Sequence, residues 1–201
     1  MESYLWGNLI RNTIFLYLIK LLNKRCIVKL RYYFGLLIQL DILEQMKVTD
    51  ILKKDFIISQ LKGKQKEEVI NELIDLFKQD TRVNDIEKVR SAVLEREKIM
   101  STGVGKGFAI PHGKTDGINE IIAAFGKTNS PIEYQALDNK PVSLVFLLIG
   151  KDNLVSTHIK LLSRISRMMN KDEFREGLLK ANSSEEIFEL FKKEEENYFE
   201  V

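Results

Sequence analysis

From residue 46 onward, the spacing of hydrophobic residues changes several times between a helical and a strand-like period. Apolar residues recur among charged ones from Val69 to Phe77 at the spacing of one face of a helix. Four short segments are apolar and rich in β-branched or aromatic residues, as expected of strands: 56–61, 108–111, 121–125 and 143–149. The last of these is apolar enough to predict a buried central strand.

Capping signals predict the remaining helices. Asn84 and Glu87 form a capping-box pattern before a second helix, and Ser183 and Glu186 repeat the pattern near the C-terminus. Helical spacing also returns after residues 156 and 171. The predicted order is one strand, two helices, three strands and three helices, which indicates an α/β domain whose sheet is covered by helices on both faces.

Residues 1–45 differ from the rest of the chain in composition and charge. They are rich in Leu, Ile, Tyr and Phe and carry a net charge of +3, whereas residues 46–201 carry −1. Arg11 and Lys20 interrupt the longest apolar stretch, so it is a poor transmembrane helix, and it has neither the basic start nor the cleavage site of a signal peptide.

Three interpretations of residues 1–45 stay open: an amphipathic helix on a membrane or a partner, an additional packed helix, or translated sequence upstream of a true start at Met46. We favour the last, because Met46 opens a globular pattern of different composition. The predicted organisation is therefore an extension at 1–45, foreign to the native protein, and one domain at 46–195.

Composition excludes several functional classes. The body of the chain is nearly neutral and has no basic stripe for nucleic acid. Cys26 is the single cysteine, which excludes an internal disulfide framework and fits a reducing cytoplasm. One cysteine and two histidines make a weak zinc set, so we expect no metal, and no G-x-S-x-G elbow of a serine hydrolase occurs.

The two histidines are the strongest candidates for chemistry. His112 follows alternating glycines and Pro111, so the backbone is able to turn tightly and to hold an exposed imidazole at a strand end, with Gly113 leaving space beside the ring. A neutral imidazole nitrogen is a competent nucleophile near neutral pH. If the electrophile is a phosphoryl group, the site needs positioned donors and cations around three charged oxygens.

Four side chains are candidates for those donors. They are Arg96, Ser101, Thr102 and His158. His158 opens a helical segment, where backbone N–H groups and the helix dipole favour an anion. Taken singly, each also has an ordinary structural interpretation: Arg96 as part of a solvated charged face, and His158 as a capping or half-buried residue.

Several segments together resemble the enzyme IIA components of the phosphoenolpyruvate-dependent sugar phosphotransferase system (PTS), of the fructose/mannitol type and including the nitrogen-regulatory branch. The resemblance rests on Glu95 to Lys98, on Ser101 to Gly105 and above all on Gly107 to Lys114. It continues through 131–132, 136–142 and 158–164, and it covers about residues 46–193. Met100, Lys106 and Phe108 depart from residues common in the family, while the histidine itself is retained.

The resemblance implies a three-layer α/β/α sandwich with a mixed β-sheet flanked by helices, in the cytoplasm and without a cofactor. It further implies that His112 accepts a phosphoryl group from an HPr-like phosphocarrier and passes it to an enzyme IIB on a separate chain. Arg96 and His158 match the family's arginine and second histidine, and Ser101, Thr102 and Gly113 are expected to bind the phosphoryl group. An apolar rim to which Val104 or Phe108 contributes is expected around His112.

Two functions are compatible with these residues. One is a phosphocarrier in sugar transport; the other is a nitrogen-PTS-type regulator whose His112 phosphorylation state controls binding to target proteins. Both use the same phosphohistidine, so the site residues do not separate them. Membrane association is expected only through partners or through residues 1–45.

Overall fold

The most apolar segment of the chain forms the centre of the sheet, as predicted. The computed structural model describes residues 46–199, and the expectations for residues 1–45 lie outside them. In this part of the chain the helices are α1 (Val48–Ile51), α2 (Lys66–Asp75), α3 (Ile86–Ile99), α4 (Val155–Met169), α5 (Asp172–Lys180) and α6 (Ser184–Phe199). The strands are β1 (Leu52–Leu61), β2 (Gly103–Gly105), β3 (Phe108–Ala109), β4 (His112–Thr115), β5 (Ile122–Ile132) and β6 (Val142–Lys151).

The six strands form one mixed sheet. The order β1-β5-β6-β3-β2 places β6 between β5 on one side and, on the other, β3 followed by β4. β1 is parallel to β5, β5 is antiparallel to β6, and both β3 and β4 are parallel to β6. One long central strand therefore holds the two short strands on either side of Pro111.

Each face of the sheet carries its own hydrophobic core. On one face, Phe125, Phe146 and Leu148 pack with residues of α1, α4, α5 and α6. On the other, Val145 and Leu147 pack with residues of α2 and α3. This alternation of buried residues along β6 confirms the three-layer α/β/α fold, because successive side chains of a strand point to opposite faces.

Element boundaries differ from the predictions where local contacts decide them. The helix predicted to begin at Asn84 is α3, and it is capped by Asp85 and not by Asn84. The Asp85 carboxylate accepts from the backbone N–H groups of Glu87 and Lys88. Asn84 instead exchanges side-chain hydrogen bonds with Asn119. The short elements α1 and β2 were not predicted, because neither is long enough to show a period.

The predicted cap of the last helix forms in part, because the return hydrogen bond to Glu186 comes from the residue before Ser183. The hydroxyl of Ser183 accepts from the N–H of Glu186, and the Glu186 carboxylate accepts from the N–H of Asn182. No helix among residues 46–199 is both long enough and apolar enough to cross a membrane.

A buried carboxylate joins the two ends of the described domain. Glu195 on α6 is 1% exposed, and it accepts hydrogen bonds from the N–H groups of Val48 and Thr49 and from the Thr49 hydroxyl. We predict that Glu195→Ala lowers the free energy of unfolding by roughly 2–3 kcal/mol, since buried donors are left without a charged acceptor. Urea denaturation measures this, with the exposed neighbour Glu196→Ala as control; equal stability of the two variants contradicts the assignment.

Candidate functional site

The strand that leads to His112 is divided at Pro111. We predicted one strand over 108–111 that ends at His112; instead β3 ends at Ala109, and His112 opens β4. Proline has no N–H for a strand ladder, but its carbonyl accepts from the N–H of Leu148 and so keeps the chain beside β6. The imidazole is therefore at the beginning of a strand, and it is half-buried instead of exposed.

Strand register decides which face His112 occupies. His112 pairs with Leu148 of β6, and Leu148 belongs to the core beneath α4, α5 and α6. Residues paired across a ladder share a face, so the imidazole lies on the α4 side of the sheet. Gly113 lies on the opposite face, where a Cβ would be 3.0 Å from the backbone of Ala92 and Val93 in α3. The missing side chain of Gly113 thus permits close packing of α3 and does not clear space beside the imidazole.

The ring of His112 is fixed by one short hydrogen bond. Its Nδ1 lies 2.8 Å from the carbonyl oxygen of Ile110. A carbonyl only accepts, so Nδ1 carries the proton and Nε2 presents its lone pair. Burial lowers the pKa of His112, and the positive charge of Arg96 lowers it further. His112 is therefore a neutral imidazole near pH 7 with Nε2 as its nucleophilic atom.

His158 lies beside His112, as the sequence predicts for two residues of one site. The ring centroids are 5.8 Å apart and the planes are inclined by 51°. His158 is 4% exposed, and neither ring nitrogen has a hydrogen-bond partner among residues 46–199. Burial lowers the pKa of His158 to about 4, with smaller contributions from the charges of His112 and Lys114. A buried imidazole with two unsatisfied nitrogens is suited to bind a group that arrives at His112.

The lowered pKa of His158 predicts a pH-dependent stability. The pKa of His158 is about 6.5 in the unfolded chain and about 4 in the folded protein, so the unfolded chain binds the proton first as the pH falls. The contribution of His158 to the free energy of unfolding is therefore fully present above about pH 6.5 and is lost progressively down to about pH 4. We expect the wild-type protein to lose about 2 kcal/mol more than His158→Ala between about pH 7 and pH 5. Urea denaturation of both proteins at each pH tests this, because the carboxylates common to both cancel in the comparison. Equal losses would contradict the buried, neutral imidazole.

Arg96 reaches the site from the last turn of α3. Its Nη1 donates to the carbonyl oxygen of Met100 at 3.0 Å, which holds the side chain over the end of the helix. Arg96 is half-buried as a residue, and its guanidinium is close enough to lower the pKa of His112. Since one N–H is used at Met100, the other donors of its planar fork are available for an anion at His112.

The hydroxyls of Ser101 and Thr102 already donate their hydrogens elsewhere. Ser101 Oγ donates to the carbonyl of Tyr134 at 2.9 Å. Thr102 is buried, and its hydroxyl donates to the carboxylate of Glu97, which also accepts from the Thr102 N–H. Phosphoryl binding by Ser101, Thr102 and Gly113 stays a prediction, and none of the three is placed as an evident donor beside the imidazole.

The glycine-rich loop turns tightly, as predicted, but it encloses an internal acceptor. Gly105, Lys106 and Gly107 all have positive φ, at 98°, 55° and 75°. Such a run suits glycine and strains the lysine between them. The Lys106 N–H donates to the carboxylate of Asp138 at 2.8 Å. The loop amide thus binds a carboxylate of the same domain and not an external anion.

Two charged residues of the site were not predicted from the sequence. Lys114 is two positions beyond His112 on β4 and so shares its face; strand alternation was the available signal. Glu97 is buried and forms an ion pair with Lys66 at 3.2 Å. Glu97 accepts from the N–H of Thr102, and the carbonyl of Thr102 accepts from the N–H of Ile110. Glu97 therefore supports Ile110, whose carbonyl orients His112. Nothing in the sequence separates Glu97 from its charged neighbours.

Residues 46–199 contain no group of three or more His, Cys, Asp or Glu side chains placed to hold a metal ion. Within the same range, exposed apolar side chains occur close in sequence to Arg96 and His158. Near the end of α3 and β2 they are Ile99, Met100, Val104 and Leu137, and on α4 they are Val155 and Ile159. Phe108, in contrast, is 2% exposed, so the expectation that it contributes to a rim was wrong: its position beside β6 places it in the core.

The fold and the site together define an α/β domain that presents a neutral, oriented histidine next to a second, buried one. Residues 50–194 match the family described as "Phosphoenolpyruvate-dependent sugar phosphotransferase system, EIIA 2". The chain belongs to this family.

Individual relatives come from both branches of the family. The chain is 36% identical over 145 residues to the PTS system fructose-specific EIIABC component of Bacillus subtilis, a match that covers 72% of this chain and 23% of that protein. It is 32% identical to the nitrogen regulatory protein of Bradyrhizobium diazoefficiens, covering 72% and 94%.

Solved structures show the same fold. The nitrogen regulatory protein IIA-Ntr from Neisseria meningitidis is 30% identical, with a TM-score of 0.67 over 72% of this chain and 98% of that one. The enzyme IIA for mannitol from Escherichia coli, solved in complex with phosphorylated enzyme IIB, is 22% identical with a TM-score of 0.61, covering 71% and 99%.

Proposed function

We propose that this protein is a PTS phosphocarrier: Nε2 of His112 accepts a phosphoryl group from an HPr-like phosphocarrier and passes it to an enzyme IIB. The observation that carries the proposal is the hydrogen bond from Nδ1 of His112 to the carbonyl of Ile110. That bond presents the lone pair of Nε2, while burial keeps the ring neutral. Family membership and the fructose-specific relative support the same reaction.

The geometry allows phosphoryl transfer without movement of the ring proton. In the forward step the P–N bond of the donor phosphohistidine breaks and a P–Nε2 bond forms on His112, while Nδ1 keeps its proton on the Ile110 carbonyl. In the onward step a cysteine thiolate of enzyme IIB attacks phosphorus, and the ring leaves from Nε2 as a neutral imidazole. Since no proton is gained or lost by His112 in either step, the group is transferable in both directions.

Arg96 and His158 are proposed to stabilise the transferring phosphoryl group. The loose transition state spreads negative charge over three oxygens, so positioned donors and cations supply most of the catalysis. Arg96 provides a cation at one side of His112, and the buried His158 provides ring nitrogens that have no other partner among residues 46–199. Lys114 adds positive charge on the same face of β4.

The exposed apolar residues on either side of the histidines are proposed as the contact surface for both partners. The Met100 carbonyl accepts from Arg96, and Ile159 follows His158 on α4, so we expect a partner seated on these two residues to cover His112. Ile159 is 60% exposed and Leu137 73% exposed. Apolar side chains of this size are frequent at the centre of protein interfaces. We propose a cytoplasmic location, because both partners of such a carrier act there.

The test is intact-mass spectrometry at mildly alkaline pH after incubation with phosphoenolpyruvate, enzyme I and HPr. The proposal predicts a gain of about 80 Da, one phosphoryl group, that is lost in acid. Addition of a fructose-type enzyme IIB is then expected to remove the gain from this protein and to place it on the IIB cysteine. A folded protein that gains no mass with an active HPr contradicts the proposal.

The second candidate is a regulator of the nitrogen-PTS kind, which the 94% coverage of the Bradyrhizobium nitrogen regulatory protein favours. In that case the first step is unchanged, but phosphorylation controls the binding of a target protein and no enzyme IIB is needed. Phosphorylation that is stable in the presence of enzyme IIB supports the regulator. Rapid transfer to enzyme IIB supports the carrier.

A further inference from the structure

The side chain of His158 occupies a space on β6 that only a glycine leaves open. Gly150 is two residues beyond Leu148 on β6, so the two positions share a face. Leu148 pairs with His112 and Gly150 pairs with Lys114 in the parallel ladder. Gly150 is therefore on the same face as His112, one strand away and one pleat further along.

A Cβ at position 150 is incompatible with the observed imidazole. It would lie within 3.0 Å of three ring atoms of His158, namely Nδ1, Cγ and Cε1, with Nδ1 closest. Carbon atoms in contact are normally 3.5–4.0 Å apart. Gly150 lies in a strand and is not among the described glycines with positive φ. Its backbone conformation therefore does not require a glycine at this position. The reason is the contact with His158.

The surroundings of His158 leave its ring little room to move elsewhere. His158 is 4% exposed and extends from α4, whose neighbouring residues Leu161 and Ile165 are buried against the sheet. The ring faces the backbone of Gly150 on one side and His112 on another, at a centroid distance of 5.8 Å. A methyl group at position 150 would displace the ring from this site.

We propose that Gly150 is a positioning residue for phosphoryl transfer: the bare backbone of β6 seats the His158 imidazole at its distance from the phosphoryl acceptor His112. The proposal rests on the phosphocarrier function above and adds to it a residue whose part is to position His158. Gly150 acts only through His158, which makes its effect separable from a general role in folding.

The test is a double-mutant cycle of Gly150→Ala and His158→Ala, measured as the rate of phosphorylation by phospho-HPr. Misplacement of a catalytic group by about 1 Å costs as much as 10²-fold, so Gly150→Ala is expected to slow the reaction roughly 10²-fold. In the His158→Ala background the methyl group has space, and the same substitution is expected to change the rate less than about twofold. Equal slowing in both backgrounds overturns the proposal.

A matched control is Gly177→Ala on α5, where a Cβ would meet Leu190 at 3.5 Å, an ordinary contact. It is expected to react at the wild-type rate. If Gly150→Ala does not fold, the double variant decides: recovery of the folded state upon removal of the imidazole supports the proposal, and continued unfolding overturns it, because the clash is then with another group.

A readout independent of phosphorylation is the ¹H–¹⁵N NMR spectrum of the histidine rings. Gly150→Ala is expected to shift the His158 ring resonances and to raise the pKa of His158 toward 6.5, as the displaced ring becomes hydrated. Unchanged ring resonances and pKa overturn the proposal even if the protein proves not to be a phosphocarrier. Conversely, a wild-type protein that is not phosphorylated refutes the proposed function and leaves the NMR result to decide the role of Gly150.

Discussion

His112→Ala is expected to abolish phosphoryl acceptance completely while leaving the fold intact. The substitution removes Nε2, the proposed acceptor atom, and the ring is only half-buried, so the core is little affected. Incubation with phosphoenolpyruvate, enzyme I and HPr is expected to give no gain in mass, whereas the wild-type protein gains about 80 Da.

His158→Ala is the matched control for this experiment, since it also removes an imidazole from the pair but keeps the acceptor. It is expected to be phosphorylated, more slowly, to the same final mass. Circular dichroism establishes that both variants are folded. A His112→Ala protein that still gains an acid-labile phosphoryl group would place the acceptor at another residue.

Arg96→Ala is expected to slow phosphorylation by roughly 10²–10³-fold, the usual effect of removing one positioned donor from a site where charge develops. Two changes act in opposite directions. Loss of the guanidinium raises the pKa of His112 toward its ordinary value, but it also removes a cation from the transferring group. The second change dominates, because the ring remains largely neutral near pH 7 in either case.

Lys98→Ala tests whether any positive charge at this end of α3 suffices. Lys98 is exposed and lies two residues beyond Arg96 on the same helix. It therefore carries the same charge at this end of α3, but its side chain leaves the helix on a different side. It is expected to react within about twofold of the wild-type rate, and Arg96→Lys is expected to fall between the two alanine variants because it lacks the planar fork. Equal rates for Arg96→Ala and Lys98→Ala would contradict the role of Arg96.

The parts of the structure that the sequence predicts are those that depend on local pattern. The apolar run at 143–149 indicated the central strand, and helical spacing indicated both helical layers. The division of the strand at Pro111 was harder to predict, because proline is tolerated at several positions near a strand and only pairing with β6 fixes where β4 begins.

Side-chain directions at the site depended on residues far away in the sequence. The hydroxyl of Ser101 is bound by the Tyr134 carbonyl, 33 residues later, and no pattern around Ser101 indicates that contact. The same holds for Gly150. A glycine is required there because a Cβ would clash with the ring of His158, which lies on a different element. The pairing of His112 with His158, in contrast, followed from the chain having only two histidines and from the family resemblance.

The most direct test of the account is long-range ¹H–¹⁵N NMR of the phosphorylated protein, which identifies the ring nitrogen that carries phosphorus. We predict a phosphoryl group on Nε2 of His112 with the proton retained on Nδ1, because Nδ1 donates to the carbonyl of Ile110. A phosphoryl group on Nδ1, or on any residue other than His112, would contradict it.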